Sequence, residues 1–263
     1  MQTSLTETPE EGLDGMSSFQ QLQDQGRIIL YDPQCISNIS AAWFDADYWQ
    51  TQQALLGGAP GRGTSAFILT PAGEAVWRHY HRGGLPGRFI RDRYLWTGLN
   101  TTRAWQEFHL TNKLLSLGLP VPQPLAAAVK RSGLTYTADL ITLRLPNVMP
   151  LAECLLSPDY QSLIPALLHQ VGACIQRFHA VGLDHVDLNP RNLLVRLQDQ
   201  QVWLIDFDRC RLGQPDARIA ERNLQRLQRG LIKLNALTTH SWMQAIRAGY
   251  SDSTTATTDC KKT

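Results

Sequence analysis

No apolar run in this sequence approaches the ~20 residues that a helix needs to cross a bilayer, and the acidic opening MQTSLTETPEEGLDG has neither the basic start nor the apolar stretch of a secretion signal. A soluble or membrane-peripheral protein is expected. The five cysteines, Cys35, Cys154, Cys174, Cys210 and Cys260, are odd in number, scattered and without a C-x-x-C pair. They suggest neither a disulfide framework nor a zinc site, and a reducing cytoplasm suits them. Charge of one sign is also not in excess: the formal net charge is +2. Nucleic-acid binding by bulk charge is therefore not indicated, and an anionic partner would have to be met by local clusters. There is no internal repeat and no heptad series.

What is present is globular. Of 263 residues, 43% are hydrophobic and 18% charged, enough to bury a sizeable core as one large unit or as two lobes. Residues 1–26 are polar, with five acids and no Lys or Arg, and residues 251–263 are rich in Ser and Thr. Both ends read as disordered extensions. Between 27 and 145, strand signals (RIILYD, SAFIL, EAVWRHYH, YTADLITLRL) surround one helix, TTRAWQEFHLTNKLLSLG, and FDADYWQTQQALL reads as a short helix stopping at Gly57. From 146 to 250 the pattern turns helical. Leu163, Leu167, Val171, Cys174 and Phe178 mark one face of a long helix, the short strands LLV and VWLI follow, and two helices close the chain. The expected fold class is α+β, a small mixed sheet-plus-helix lobe followed by a mainly helical one.

The stretch HVDLNPRNLLVRLQDQQVWLIDFDRC, from His185 to Cys210, sets four aspartates and two asparagines in or beside apolar segments. Asp187 and Asn192 stand five residues apart in a Pro- and Asn-bearing loop after the long helix. Asp206-Phe207-Asp208 ends a buried-strand run nineteen residues after Asp187. Phosphoryl transfer to a hydroxyl asks for these groups: a carboxylate to orient the attacking oxygen and take its proton, and an amide with a second carboxylate to hold Mg²⁺ against the phosphates. A lone D-x4-N would more often cap a loop. The full series, from helix through H-x-D-x4-N and two short strands to D-F-D, has the strand–loop–strand context that the chemistry requires.

With these motifs the sequence resembles the protein-kinase-like superfamily and, within it, the lipopolysaccharide-core sugar kinases of the 3-deoxy-D-manno-octulosonic acid (Kdo) kinase family. The resemblance runs from Arg27 to about Ala248 and also takes in GRGTSAFIL, VWRHYHRGGLPGRFIRDRYLWTGLNTTRAWQEF, LGLPVPQPLAAAV and RNLQRLQRGLIKL. It implies a bilobal kinase-like fold and an ATP- and Mg²⁺-dependent kinase acting on Kdo-lipid A, at the 4-hydroxyl of a Kdo, peripherally on the cytoplasmic side of the bacterial inner membrane. No nucleic acid and no obligate protein partner are implied. By the same resemblance Asp187 is the catalytic aspartate and Asn192 and Asp206 are metal ligands. Asp208 is either a further ligand or the cap of its turn. Gly61, Arg62, Gly63 and Thr64 form the nucleotide loop, and Arg78 takes the place of the usual phosphate-binding Lys, with Glu107 as its partner.

Two departures bear on the acceptor. Val186 stands where many protein kinases carry the Arg that reads a phosphorylated activation loop, and no A-P-E signature follows Asp208, so a protein-substrate platform is missing. Between Arg78 and Arg103 six Arg and two His face a single acid, Asp92. Arg88, Arg91 and Arg93 are expected to meet an acidic sugar or an anionic lipid surface, although a solvated basic loop would look the same. Other readings are a heptose kinase of the same pathway, an atypical protein kinase, or a pseudokinase that binds partners. The presence of Asp187, Asn192 and Asp206 speaks against the last.

Overall fold

The computed structural model describes residues 19–58, 65–81 and 92–259. The chain divides into two compact units, Met1–Ser116 with Pro122–Arg144, and Leu117–Val121 with Leu145–Thr263.

The first unit is built on an antiparallel sheet of β1 (Gln20–Asp24), β2 (Arg27–Tyr31), β3 (Leu55–Gly58), β4 (Ser65–Thr70), β5 (Gly73–His79), β7 (Pro124–Ser132) and β8 (Thr135–Leu143), in the order β1-β2-β7-β8-β5-β4-β3. The two-residue β6 (Tyr94–Leu95) also pairs with β8. Helix α1 (Ala46–Thr51) and a preceding 3-10 turn (Ala41–Phe44) lie in this unit, as does α2 (Arg103–Ser116). Both faces of the sheet are covered. Ile29, Ala126, Ala128 and Ile141 pack with Trp43, Phe44 and Trp49, whereas Leu30, Ala127, Val129, Ala138 and Leu140 pack with Trp105 and Phe108 of α2. That two-sided burial explains β7. The run Leu125 to Val129 is helix-prone in composition, yet it is paired with β2 on one edge and β8 on the other, and its small side chains let a layer approach from either side.

Two details differ from expectation. Residues 20–24, placed by sequence in a disordered extension, form the edge strand β1. Leu22 packs on the core, the Tyr31 hydroxyl donates to Gln20 Oε1 at 2.5 Å, and the Asp24 carboxylate accepts from the Ala41 N–H at 2.7 Å. The helix expected up to Gly57 stops earlier. Asp45 caps α1 by accepting from the Asp47 N–H, Gln53 turns to φ +54°, and the chain enters β3.

The second unit contains a three-stranded sheet, β12 (Gln201–Leu204), β11 (Leu193–Arg196) and β9 (Met149–Pro150), in that order, and the two-stranded β10 (Leu183–Asp184) with β13 (Arg211–Leu212). Its helices are α3 (Leu151–Leu156), α4 (Ile164–Ala180), α5 (Ala217–Leu234) and α6 (Thr239–Asp259). The apolar stripe of α4 is buried as its spacing predicts at Leu167, Val171, Cys174 and Phe178, whereas Leu163, expected on the same face, is the N-cap residue ahead of the helix and only half-buried. Helix α6 runs beyond Tyr250, where a tail was expected. It meets α4 backbone to backbone: a Cβ on Gly172 would lie 1.9 Å from the Ile246 carbonyl oxygen, and one on Gly249 1.9 Å from that of His169. Residues 117–121 attach here rather than to the first unit, since the Leu204 N–H donates to the Pro120 carbonyl at 3.1 Å and Arg177 to that of Gly118 at 2.7 Å.

Candidate active site

In the second unit, α4 ends at Ala180, Gly182 turns at φ +83° where a Cβ would strike the Gly213 carbonyl at 2.0 Å, and β10 delivers the chain to the loop from His185 to Asn192. Asp187 is exposed on that loop. Its main-chain carbonyl accepts from both amides, Asn189 Nδ2 at 3.0 Å and Asn192 Nδ2 at 2.9 Å, and Asn192 Nδ2 also reaches Asp187 Oδ2 at 3.4 Å. Asn189 Oδ1 takes the Arg191 N–H at 2.8 Å. The loop is therefore fixed by its own amides, and the spacing of five between Asp187 and Asn192 closes it.

Asp206 adjoins this loop through the backbone, because the Ile205 N–H donates to the Asn192 carbonyl at 3.0 Å. Phe207 is buried, with its ring 5.5 Å from that of His185 and 6.3 Å from that of Phe178. With Phe207 as the anchor, the flanking Asp206 and Asp208 are half-buried. Asp206 sits at φ +65°, a left-handed conformation that Asp adopts more readily than most residues. Asp199 is elsewhere, in the β11–β12 turn, paired with Arg196 at 2.7 Å.

His185 has a structural place. Its Nε2–H donates to the Ile205 carbonyl at 3.1 Å and its N–H to Asn223 Oδ1 at 2.7 Å. Burial pushes its pKa below the usual histidine value, so the ring is neutral. Asn223 was not anticipated from sequence. It is fully buried on α5 and also donates to Asp184 Oδ1 at 2.8 Å, while Arg222 pairs with Asp184 Oδ2 at 2.7 Å. Next along the helix, Gly230 admits the loop: a Cβ there would lie 2.6 Å from Pro190 Cδ. An Asn within an apolar helix stripe and a mid-helix Gly are the only sequence signals of this contact.

In the first unit, β5 alternation sends Arg78 and Tyr80 to the α2 side. There Arg78 pairs with Glu107, which is 3% exposed and also accepts from the Tyr80 hydroxyl. Arg78 Nη2 donates to the Tyr80 hydroxyl at 3.0 Å, and the guanidinium lies 4.7 Å from the Tyr80 ring. The pair read from the sequence is formed. On the opposite face Asp139, fully buried, accepts from Arg27 at 3.0 Å, from Trp77 Nε1 at 3.0 Å and from His79 Nδ1 at 2.7 Å. Gly61, Arg62, Gly63 and Thr64 lie outside the described residues, as do Arg88 and Arg91. Arg93 is exposed ahead of β6, and Arg103 is not part of a free cationic surface, since it stacks 4.3 Å from the Tyr94 ring.

Among the described residues no three His, Cys, Asp or Glu side chains gather as a metal cage. Asn192 and Asp206 instead offer an oxygen amide and a carboxylate on adjoining backbone. That hard, sparse donor set fits Mg²⁺, which keeps waters and phosphate oxygens for its remaining positions.

Residues 46–250 match the family described as Lipopolysaccharide kinase (Kdo/WaaP) family. A 3-deoxy-D-manno-octulosonic acid kinase of Vibrio parahaemolyticus serotype O3:K6 is 40% identical over 215 residues, 82% of this chain and 88% of its own. A protein of the same name from Xanthomonas axonopodis pv. citri is 44% identical over 206 residues, 78% of this chain and 80% of its own. A solved structure of WaaP in complex with acyl carrier protein is similar over 78% of this chain and 82% of that one, with a TM-score of 0.49 and 16% identity. A family match over most of its length, together with relatives this similar, means that the chain belongs to the lipopolysaccharide kinase (Kdo/WaaP) family.

Proposed function

We propose that this chain is an ATP-dependent kinase that phosphorylates a Kdo residue of Kdo-lipid A, at its 4-hydroxyl, in lipopolysaccharide inner-core biosynthesis. The observation that carries the reading is the 40–44% identity to kinases of that name across about four fifths of this chain. The loop geometry supports it chemically. Asp187, exposed and oriented by Asn189 and Asn192, aligns the sugar hydroxyl and takes its proton as that oxygen bonds to the γ-phosphorus. The bond from the γ-phosphorus to the bridging oxygen breaks, and ADP leaves. Asn192 and Asp206 would hold Mg²⁺, with Asp208 either a further ligand or the cap of its turn; the bound ion would offset charge on the phosphate oxygens. Arg78, held by Glu107, binds the nucleotide phosphates, and Gly61 to Thr64 contribute backbone N–H groups.

The acceptor is lipid-linked, so the enzyme works peripherally at the cytoplasmic face of the inner membrane. No helix among the described residues is long and apolar enough to cross a membrane. Mass spectrometry of Kdo-lipid IVA incubated with protein, ATP and Mg²⁺ tests the proposal, with Asp187→Ala as control. One added phosphate is expected. A product only from heptosylated core, or none, overturns the assignment.

A further inference from the structure

Helix α5 carries five cations, Arg218, Arg222, Arg226, Arg229 and Lys233, at spacings of 4, 4, 3 and 4, and a single acid, Glu221. At ~100° per residue these positions fall within one stripe. Three of its neighbouring pairs are like charges at i,i+4, each opposing helix formation by roughly 0.2–0.5 kcal/mol. Part of the stripe is offset internally: Arg222 is 2.7 Å and Arg226 3.8 Å from Asp184, and Glu221 pairs with Arg247 at 2.8 Å. The rest is not. Arg218, Arg229 and Lys233 are exposed with no acidic partner among the described residues, and Nη1 of Arg226 is buried without a hydrogen-bond acceptor.

The position of the stripe gives it meaning. Gly230 touches Pro190 of the catalytic loop, and Arg226, Arg229 and Lys233 are the cations of the helix that lie within four residues of Gly230. Across the seam Arg191, beside Pro190 and four residues from Asp187, is another exposed cation with no acidic partner among the described residues. A solvated helix face would spread its cations or intersperse acids. Here the stripe runs the length of α5, and its last part, from Arg226 to Lys233, flanks the residue on which the loop bearing the proton acceptor rests.

We propose that Arg191, Arg229 and Lys233, backed by Arg226, form a binding site for the phosphate and carboxylate groups of the acceptor glycolipid, anchoring it while its hydroxyl reaches Asp187. The inference rests on the proposed acceptor class and assigns recognition to residues other than Arg88, Arg91 and Arg93. Guanidinium and ammonium groups in one cluster suit oxyanions several ångströms apart on a rigid saccharide, which a single cation could not grip.

The test compares wild-type protein with Arg229→Ser/Lys233→Ser and with the charge-preserving Arg229→Lys/Lys233→Arg. Binding of Kdo-lipid IVA in neutral detergent micelles and the KM for ATP are measured for each. The Ser pair should weaken acceptor binding about tenfold with the ATP KM unchanged, the charge-preserving pair should stay near wild type, and the loss should shrink on dephosphorylated Kdo-lipid IVA. Unchanged acceptor binding, or an equal loss on the dephosphorylated lipid, overturns the proposal. So does an equal loss of binding to phosphatidylglycerol vesicles without Kdo, which would give the stripe to the membrane surface. A wild-type protein that binds the acceptor in this charge-dependent way but adds no phosphate would refute the kinase assignment and leave the binding site standing.

Discussion

Gly230→Ala separates what α5 contributes to stability from what it contributes to turnover. The added Cβ would lie 2.6 Å from Pro190 Cδ, where ordinary contact begins near 3.4 Å. The ring is covalently fixed to its own backbone nitrogen and cannot swing aside, so helix and loop must separate by about 0.8 Å. Overpacking of this kind costs about 1–3 kcal/mol. Replacing a mid-helix Gly by Ala returns about 1 kcal/mol of helix propensity. The net change in stability is therefore about 0–2 kcal/mol, a fall in Tm of no more than roughly 8 °C. Turnover should respond differently, because the displaced segment is the one that carries Asp187. A misplacement near 1 Å costs on the order of 10²-fold in rate, so kcat for Kdo-lipid phosphorylation should fall ten- to a hundredfold. Thermal unfolding and steady-state kinetics on one preparation decide it. A kcat within about twofold of wild type at unchanged Tm would show that the contact does not set the position of the loop.

Three further predictions follow from the site and the sheet. Asp187→Ala should lower kcat by about 10²–10⁴-fold in an ADP-release assay while leaving Tm unchanged, since the side chain is exposed. Arg78→Met breaks the ion pair with the buried Glu107 and should cost roughly 3 kcal/mol in denaturant unfolding, whereas Arg78→Lys should keep most of that stability and raise the ATP KM. The His79 pKa is raised, chiefly by its hydrogen bond to Asp139 and secondarily by Asp92, with Arg27 sharing Asp139 and His81 stacked beside it. Its stabilising share is therefore full below the ordinary histidine pKa of about 6.5 and is lost as pH rises through the raised value. His79→Gln should flatten that decline in unfolding free energy, and an identical pH profile would refute the linkage.

Legibility from sequence followed the distance over which each feature is decided. Strands β4, β5 and β8 and helices α2 and α4 announce themselves by local periodicity, and the structure has them where the pattern puts them. The loop from His185 to Asn192 was legible for the same reason, since its hydrogen bonds close within five residues. Strand β7 was not, because Ala126 to Ala128 become a strand only through layers that cover both sides. Strand β1 was hidden by its glutamines, and its partner is the segment after the Gly26 turn rather than a pattern of its own. Asn223 and Gly230 act on a loop about forty residues away in sequence, so neither carries a local signal of its role. The basic cluster was only partly what its composition suggested: Arg78 and Arg103 are engaged with Glu107 and Tyr94 inside the first unit.

Residues 117–121 belong with the second unit although their flanks on both sides belong to the first. The polypeptide thus passes between the units three times, so neither is a contiguous gene segment. A truncation after Ser116 would remove β7 and β8 from the middle of the sheet, and a fragment starting at Leu145 would lack the Gly118 and Pro120 carbonyls that receive Arg177 and Leu204. A protease nick at one passage leaves two covalent tethers intact, and exchange of whole lobes between relatives requires three splice points rather than one.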